Sequence, residues 1–217
     1  MSQVPIRHLV VLGHPAPGSF NHTVAQTYCE TVEACCQQAE VRDLYAIGFD
    51  PLLKADERPA GDRFEPAPDV AAELALLREC DVVTLIYPLW FGMPPAIIKG
   101  YIDRVLGAGF GPSSIKHDLP NPMLRGKHLM ILSSSATTRP WLEEHGQWVS
   151  LRQAFDTYLS TIFAFASDDH VHFDAIVSGT KAQYIEECLE QARERTRLLC
   201  AKLLNAWHRR EQAHVCH

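Results

Sequence analysis

Two kinds of apolar pattern alternate along the chain, short continuous runs and longer runs at helical spacing. Ile6 to Leu12 holds Leu9, Val10, Val11 and Leu12 in succession and stops at Gly13; Val82 to Tyr87 is a second such block, ended by Pro88, and His128 to Ser133 a third. Unbroken aliphatic runs of this length mark strands covered on both faces of a parallel sheet. Shorter strands are predicted near Val41 to Tyr45 and over Val171 to Val177. Between the strands lie segments with helical periodicity. The first runs from about Thr23 to Gln38, with Val24, Tyr28, Val32 and Cys35/Cys36 on one face, and Ser19 or Asn21 is available as its N-cap. Asp69 to Arg78, with Asp69 as N-cap, is the second, and Pro95 to about Leu106 the third. Leu151 to Phe163 follows, and Lys181 to about Arg209 closes the series with Ile185, Leu189, Ala192, Leu199, Leu203 and Trp207 on one stripe.

Strands separated by helices, joined by right-handed crossovers, give a doubly wound α/β fold: a five-stranded parallel sheet in the order 2-1-3-4-5, with helices on both faces. A single domain over residues 1–217 is expected, its last residues from about 210 a frayed tail. Sheets of this kind bind ligands beyond the carboxyl ends of their strands, at the switch point between strands one and three. The turns after Gly13 and Pro88 would meet there.

Three stretches break the pattern. Phe49 to Pro68 holds four prolines and many charges, Gly107 to Arg125 is rich in Gly, Pro and Ser, and Ser133 to Trp148 is polar with aromatic residues set into it. All three read as surface excursions, and long loops of this kind often carry function.

Charge narrows the class of partner. Twenty Lys and Arg against 26 Asp and Glu give a formal net charge of -6, the opposite of what phosphate-backbone binding relies on, so nucleic acid is not expected. No apolar run approaches the roughly 18 residues of a membrane span, and the opening residues run into a strand without a cleavable leader; no integral membrane segment and a cytoplasmic location are expected. The seven cysteines contain no CxxC spacing and read as small buried hydrophobes.

Two loops carry candidate chemistry. GHPAPGSFNH offers His14, Ser19, Asn21 and the backbone donors of a helix start, which favour an anion such as phosphate. Helix capping accounts for Ser19 and Asn21 equally well. The loop matches neither the dinucleotide fingerprint nor a Walker loop. The second loop, Pro88-Leu89-Trp90-Phe91-Gly92-Met93-Pro94, puts two aromatics and a methionine where a connection is ordinarily polar. Interface or core packing would also explain it. Together, a phosphate site beside an aromatic slot is what a flavin nucleotide requires.

Other conspicuous residues have plainer readings. Lys99 and Asp103, four apart on one helix, make a surface ion pair, and Arg104 beside them is read as structural. His170 and His172 share a strand face near Asp168 and Asp169, but without a third ligand no metal site is assigned. The closing His214-Val215-Cys216-His217 reads as part of the tail, not a metal clip.

The runs VVLGHPAPGSFNHTVA, VRDLYAIGFDP, YPLWFGMPPAIIKGYIDRV and GKHLMILSS look like the flavodoxin-like NAD(P)H:quinone oxidoreductases, the family of DT-diaphorase and of the potassium-efflux ancillary oxidoreductases. The likeness covers roughly the first 150 residues. It implies a tightly bound FAD or FMN, NAD(P)H as electron donor, a quinone or similar small aromatic molecule as acceptor, and a homodimer with active sites near its interface. Matched residue by residue, His14, Ser19, Phe20 and Asn21 fall on the family's loop around the flavin phosphate and ribityl groups, and Pro88, Leu89, Trp90 and Phe91 on the loop beneath the ring. Ser134, Ala136 and Thr137 fall on the turn at the ring edge, where DT-diaphorase has Thr-Thr-Gly-Gly and this chain has no glycine. Trp141 and His145 fall near the family's aromatic and histidine over the flavin, which makes His145 the candidate catalytic proton donor. The ancillary relatives suggest an alternative, a flavin- or nucleotide-binding regulatory subunit of a membrane transporter with little turnover of its own.

Overall fold

The computed structural model describes residues 6–57, 64–111, 116–117, 119 and 121–215, the last three by backbone alone. Its centre is a five-stranded parallel sheet in the order β2-β1-β3-β4-β5. The strands are β1 (Arg7–Leu12), β2 (Gln38–Asp43), β3 (Val82–Pro88), β4 (His128–Ser134) and β5 (Ser167–Phe173). Every residue of β3 is buried, and β1 and β4 are buried but for their first residue. The unbroken aliphatic runs are the reason, since each of these strands has a neighbour on both sides and a layer on both faces.

The two faces divide the side chains in strict alternation. Leu9, Val11, Val83, Leu85, Leu129 and Ile131 pack against α2 (Pro68–Glu79), α3 (Ala96–Tyr101) and the segment from α5 (Gln147–Leu151) to α6 (Tyr158–Ile162). Val10, Leu12, Ile86, Met130, Leu132 and Val171 pack against α1 (Phe20–Ala34) and α7 (Ala182–Val215). A further short helix, α4 (Arg139–Glu144), follows β4.

Several boundaries fall elsewhere than the periodicity suggests. α1 starts three residues early and stops at Ala34, because Cys36 takes a left-handed φ of 58° that no helix continues through. β2 lies three residues earlier than expected. It is an edge strand whose exposed positions, Gln38, Glu40 and Val41, give it no apolar run to recognise. β5 lies four residues earlier than expected, since the strand is the polar run SDDHVHF and not the apolar residues after it.

Asp69 does not cap α2. Pro68 opens that helix at its first position, and the Asp69 carboxylate turns to Arg104 instead (2.7 Å). Arg104, read from the sequence as structural, is wholly buried at the side chain and also holds Glu57 at 2.5 Å. It sits in a π-helical turn, Ile102–Leu106, that continues α3. A second π turn, Arg152–Thr157, joins α5 to α6, so the expected helix begins at Gln147 and carries one widened turn. Lys99 and Asp103 form the surface pair expected of them, at 2.5 Å.

The tail expected to fray is helical through Val215, six residues beyond the predicted end of that helix. Cys80, Cys188 and Cys200 are buried, Cys29 and Cys35 half-buried and Cys36 exposed, all as free thiols; Cys216 and His217 lie outside the described residues. Among the described residues no helix is long and apolar enough to cross a membrane.

Candidate active site

β1 and β3 run side by side with Leu12 paired to Ile86, β3 goes on two residues to Pro88, and the turns after both strands lie at this one end of the sheet. Gly13 lets the end of β1 pack close on α3: a Cβ there would stand 2.6 Å from the Ile98 side chain. After β3, Trp90 and Met93 exchange both backbone hydrogen bonds (3.0 and 3.1 Å) around Phe91 and Gly92. Phe91 and Gly92 take φ of 51° and 79°, the two left-handed residues of a type I′ turn. Glycine adopts that geometry freely, whereas a phenylalanine is strained in it.

These turns wall one crevice of about 220 Å³, lined by His14, Phe20 and Asn21 from the first, Pro88, Leu89 and Trp90 from the second, and Ser134, Ser135 and Ala136 after β4. The His14 and Trp90 rings meet across it with centroids 6.1 Å apart, tilted by 59°. Larger hollows of about 360 and 320 Å³ open at the amino-terminal ends of the strands, the end that parallel sheets do not use for ligands.

Neither Ser19 nor Asn21 spends its side chain on capping. Ser19 occupies the N-cap position of α1 without a side-chain cap bond, and its hydroxyl meets His22 Nδ1 (2.8 Å), whose Nε2 meets Asp43 (3.1 Å). Asn21 is buried, and its Oδ1 accepts from the Ser134 hydroxyl (3.0 Å). Ser19 N–H donates to the Ala16 carbonyl (3.3 Å) and His22 N–H to the Ser19 carbonyl (2.9 Å), so the donors left at the positive end of the dipole are those of Phe20 and Asn21, both on the crevice lining. His14 Nδ1 meets both the Ala16 N–H (3.1 Å) and the Ala16 carbonyl (3.3 Å), so either tautomer of the ring finds a partner there. Burial holds this imidazole below the ordinary histidine value against the opposing pull of the Ala16 backbone.

The remaining expected residues divide. Phe91 rides the tip of its turn, fully exposed, and does not line the crevice. The Thr137 side chain is likewise not part of the lining; its carbonyl accepts from Ser135 Oγ (2.7 Å) and Ala175 N–H (3.1 Å). His145 ends α4, exposed, stacked on Trp141 at 4.0 Å with its Nδ1 on the Trp141 carbonyl. The crevice lining does not include it either.

Sequence reasoning missed what lies behind the crevice. Ser135 Oγ also meets His172 Nε2 (2.9 Å), His172 Nδ1 meets Ser133 Oγ (2.8 Å), Ser133 Oγ meets His170 Nε2 (2.6 Å), and His170 Nδ1 meets Asp156 Oδ2 (2.6 Å). The two histidines share a face, as the strand period requires, but Asp168 and Asp169 turn away to Ser160 and Arg195. The carboxylate partner of His170 is Asp156, brought inward by the π turn. The period-2 pairing of His170 and His172 was the available signal; the third member, from a helix, left none.

Residues 6–197 match Flavodoxin_2, a family of flavodoxin-like fold. The chain belongs to this family. Among curated relatives, the rat NAD(P)H dehydrogenase [quinone] 1 (Rattus norvegicus) is 34% identical over 122 residues, covering 48% of this chain and 44% of that one. The chain spans about half the length of the curated relatives it matches. Solved structures share the flavodoxin-like fold over nearly the whole chain. An NAD(P)H:quinone oxidoreductase from Methanothermobacter marburgensis superposes with a TM-score of 0.74 at 23% identity, over 90% of this chain and 96% of that one. An FMN-dependent NADH-azoreductase from Bacillus anthracis in complex with FMN gives 0.63 at 13% identity, over 90% and 99%.

Proposed function

We propose that this chain is a flavin-dependent oxidoreductase that moves two electrons from NAD(P)H to a quinone or similar small aromatic acceptor. The observation that carries the reading is the single crevice between the His14 and Trp90 turns, polar and donor-rich on one wall, flat and apolar on the other. Uncapped helix donors suit a phosphate, and the Trp90 side suits a planar ring. The quinone-reductase names of relatives and the FMN bound by the azoreductase support it.

In this reading His14, Ser19, Phe20 and Asn21 surround the phosphate and ribityl chain, and His22 with Asp43 fixes the Ser19 hydroxyl. Pro88, Leu89 and Trp90 form the platform beneath the ring, with Ser134 and Ala136 at its edge; Phe91 and Thr137 take part through backbone groups alone. Leu89 and Trp90 spend their N–H groups on the Ser134 and Met93 carbonyls and Ser135 spends its own on Phe173, so backbone donors toward the ring would come from Phe91, Gly92 and Ala136. Bound FMN or FAD supplies the hydride chemistry; the protein supplies position, donors and exclusion of water. A homodimer fits the apolar hollow of about 330 Å³ lined by Ile102, Phe110, Phe155, Leu159 and Phe163, with exposed Leu53 and Tyr158 at its edge. The free thiols among the described residues suit a reducing compartment, and a cytoplasmic location is part of this proposal.

The test is direct. Purified protein should be yellow, bleach with NADPH or NADH and recolour with benzoquinone, and the mass of the released cofactor names FMN or FAD. Colourless protein that takes up neither flavin refutes the reading, and bound flavin without turnover would favour the transporter-regulator alternative.

A further inference from the structure

The geometry points to a one-proton store behind the crevice, held by Asp156 and His170 and connected to the crevice through Ser133, His172 and Ser135. It rests on the flavin reading above only for its use, not for its existence.

Four hydrogen bonds in series join Ser135, which lines the crevice, to the buried Asp156 carboxylate. The His170 and Asp156 side chains are wholly buried. Ser133 and Ser135 are buried too, and Trp148 covers both imidazoles at 5.1 Å. Burial of a polar chain of this length without water is costly unless every link is made.

Each hydroxyl in the chain has one hydrogen and a choice of two acceptors. Ser133 reaches both histidines, and Ser135 reaches both His172 Nε2 and the Thr137 carbonyl (2.7 Å). In the empty state His170 Nδ1–H donates to Asp156, Ser133 donates to His170 Nε2, His172 Nδ1–H donates to Ser133, and Ser135 donates to His172 Nε2. In the filled state a proton from the crevice lands on Ser135 Oγ. Ser135's own proton passes to His172 Nε2, the His172 Nδ1 proton to Ser133, and the Ser133 proton to His170 Nε2. Ser135 then donates to Thr137. One proton has entered, every link is still made, and the only charge gained is on His170, against a carboxylate.

The Asp156 carboxylate is the anionic contact at that resting place, and Arg152 shares it. Asp156 faces His170 from the π turn, with Arg152 on the same carboxylate oxygen at 2.9 Å. Tyr87 faces Asp156 from β3, and Tyr87 Oη and Asp156 Oδ1 are buried without a hydrogen-bond partner among the described residues. Arg139 of α4 stacks over Trp148 at 4.0 Å, and Asp174 lies beyond β5 near His172. His172 touches no carboxylate; burial first, then His170, push it down to about 4, so it passes protons on without keeping one. Reduction of a quinone by NAD(P)H consumes one hydride and one proton per quinol formed, and the store supplies that proton inside the protein.

The first test needs no flavin. Nitrogen NMR of the histidine rings in the full chain, with and without flavin, is expected to show His172 changing from the Nδ1–H to the Nε2–H tautomer at the pH where His170 gains its second ring proton. A His172 that keeps one tautomer through that titration, or a His170 that never titrates while the fold persists, overturns the proposal. With flavin bound, single-turnover reduction of benzoquinone in His170→Asn is expected to slow by about tenfold between pH 6 and pH 8, with less than about threefold change in the wild type. Parallel pH profiles would overturn it as well. Loss of the flavin reading would show as absent flavin binding and leave the tautomer result intact.

Discussion

His8 lies at the amino-terminal end of β1, 2% exposed, and its two nitrogens are fully used. Thr84 donates to the Tyr28 hydroxyl (2.9 Å), Tyr28 donates to His8 Nδ1 (2.6 Å), and His8 Nε2–H donates to Gln37 (2.8 Å), whose amide reaches the Cys200 carbonyl. Only a neutral ring fits this chain of donors, and burial lowers His8 from 6.5 to about 4, against the opposing pull of Gln37. The unfolded state therefore binds more protons than the folded state between those values. Stability from this group is whole above pH 6.5 and is lost as pH falls toward about 4. A gap of about 2.5 units is worth about 3 kcal/mol, and His172, lowered to about 4 for the same leading reason, adds a term of the same sign. Urea unfolding at pH 7.5, 5.5 and 4.5 measures the loss. His8→Gln keeps an acceptor for Tyr28 and a donor for Gln37 while removing the titration, so its pH dependence should be shallower by about 3 kcal/mol over the window. Identical slopes in the two proteins would show that His8 is not held neutral by burial.

Arg104→Met strands Glu57 and Asp69 and should cost about 3–5 kcal/mol in chemical denaturation; partial recovery in Arg104→Met with Glu57→Gln is expected, and a cost below about 1 kcal/mol would mean the network is surface-like. Trp90→Ala removes the flat wall of the crevice and should weaken flavin retention about tenfold with thermal stability little changed, read by fluorescence titration. His145→Gln should leave flavin content intact and quinone turnover within about twofold, since His145 stands outside the crevice lining; a several-fold fall in steady-state turnover would return it to the chemistry.

What could be read from the sequence follows burial. β1, β3 and β4 are legible because their aliphatic runs have one explanation, and with them the sheet order and the meeting of the Gly13 and Pro88 turns. β2 and β5 were misplaced by three and four residues because edge strands need no such runs. The same limit hid the site's interior. His170, Ser133 and Asp156 sit far apart in sequence on a strand, a strand and a π turn, and only the packed structure joins them. Arg104 is structural, as its place beside Lys99 and Asp103 suggested, but its partners Glu57 and Asp69, 47 and 35 residues away, could not be named from the sequence.

Phe91 leaves a last consequence. An aromatic residue in the left-handed region costs roughly 1–3 kcal/mol, and nothing in the isolated chain repays it, because the phenyl group is fully in solvent. Selection for folding alone would therefore enrich glycine or asparagine at this position. Libraries sorted once by thermal tolerance and once by flavin retention should diverge here, and the size of the divergence measures what the proposed binding task demands of the scaffold.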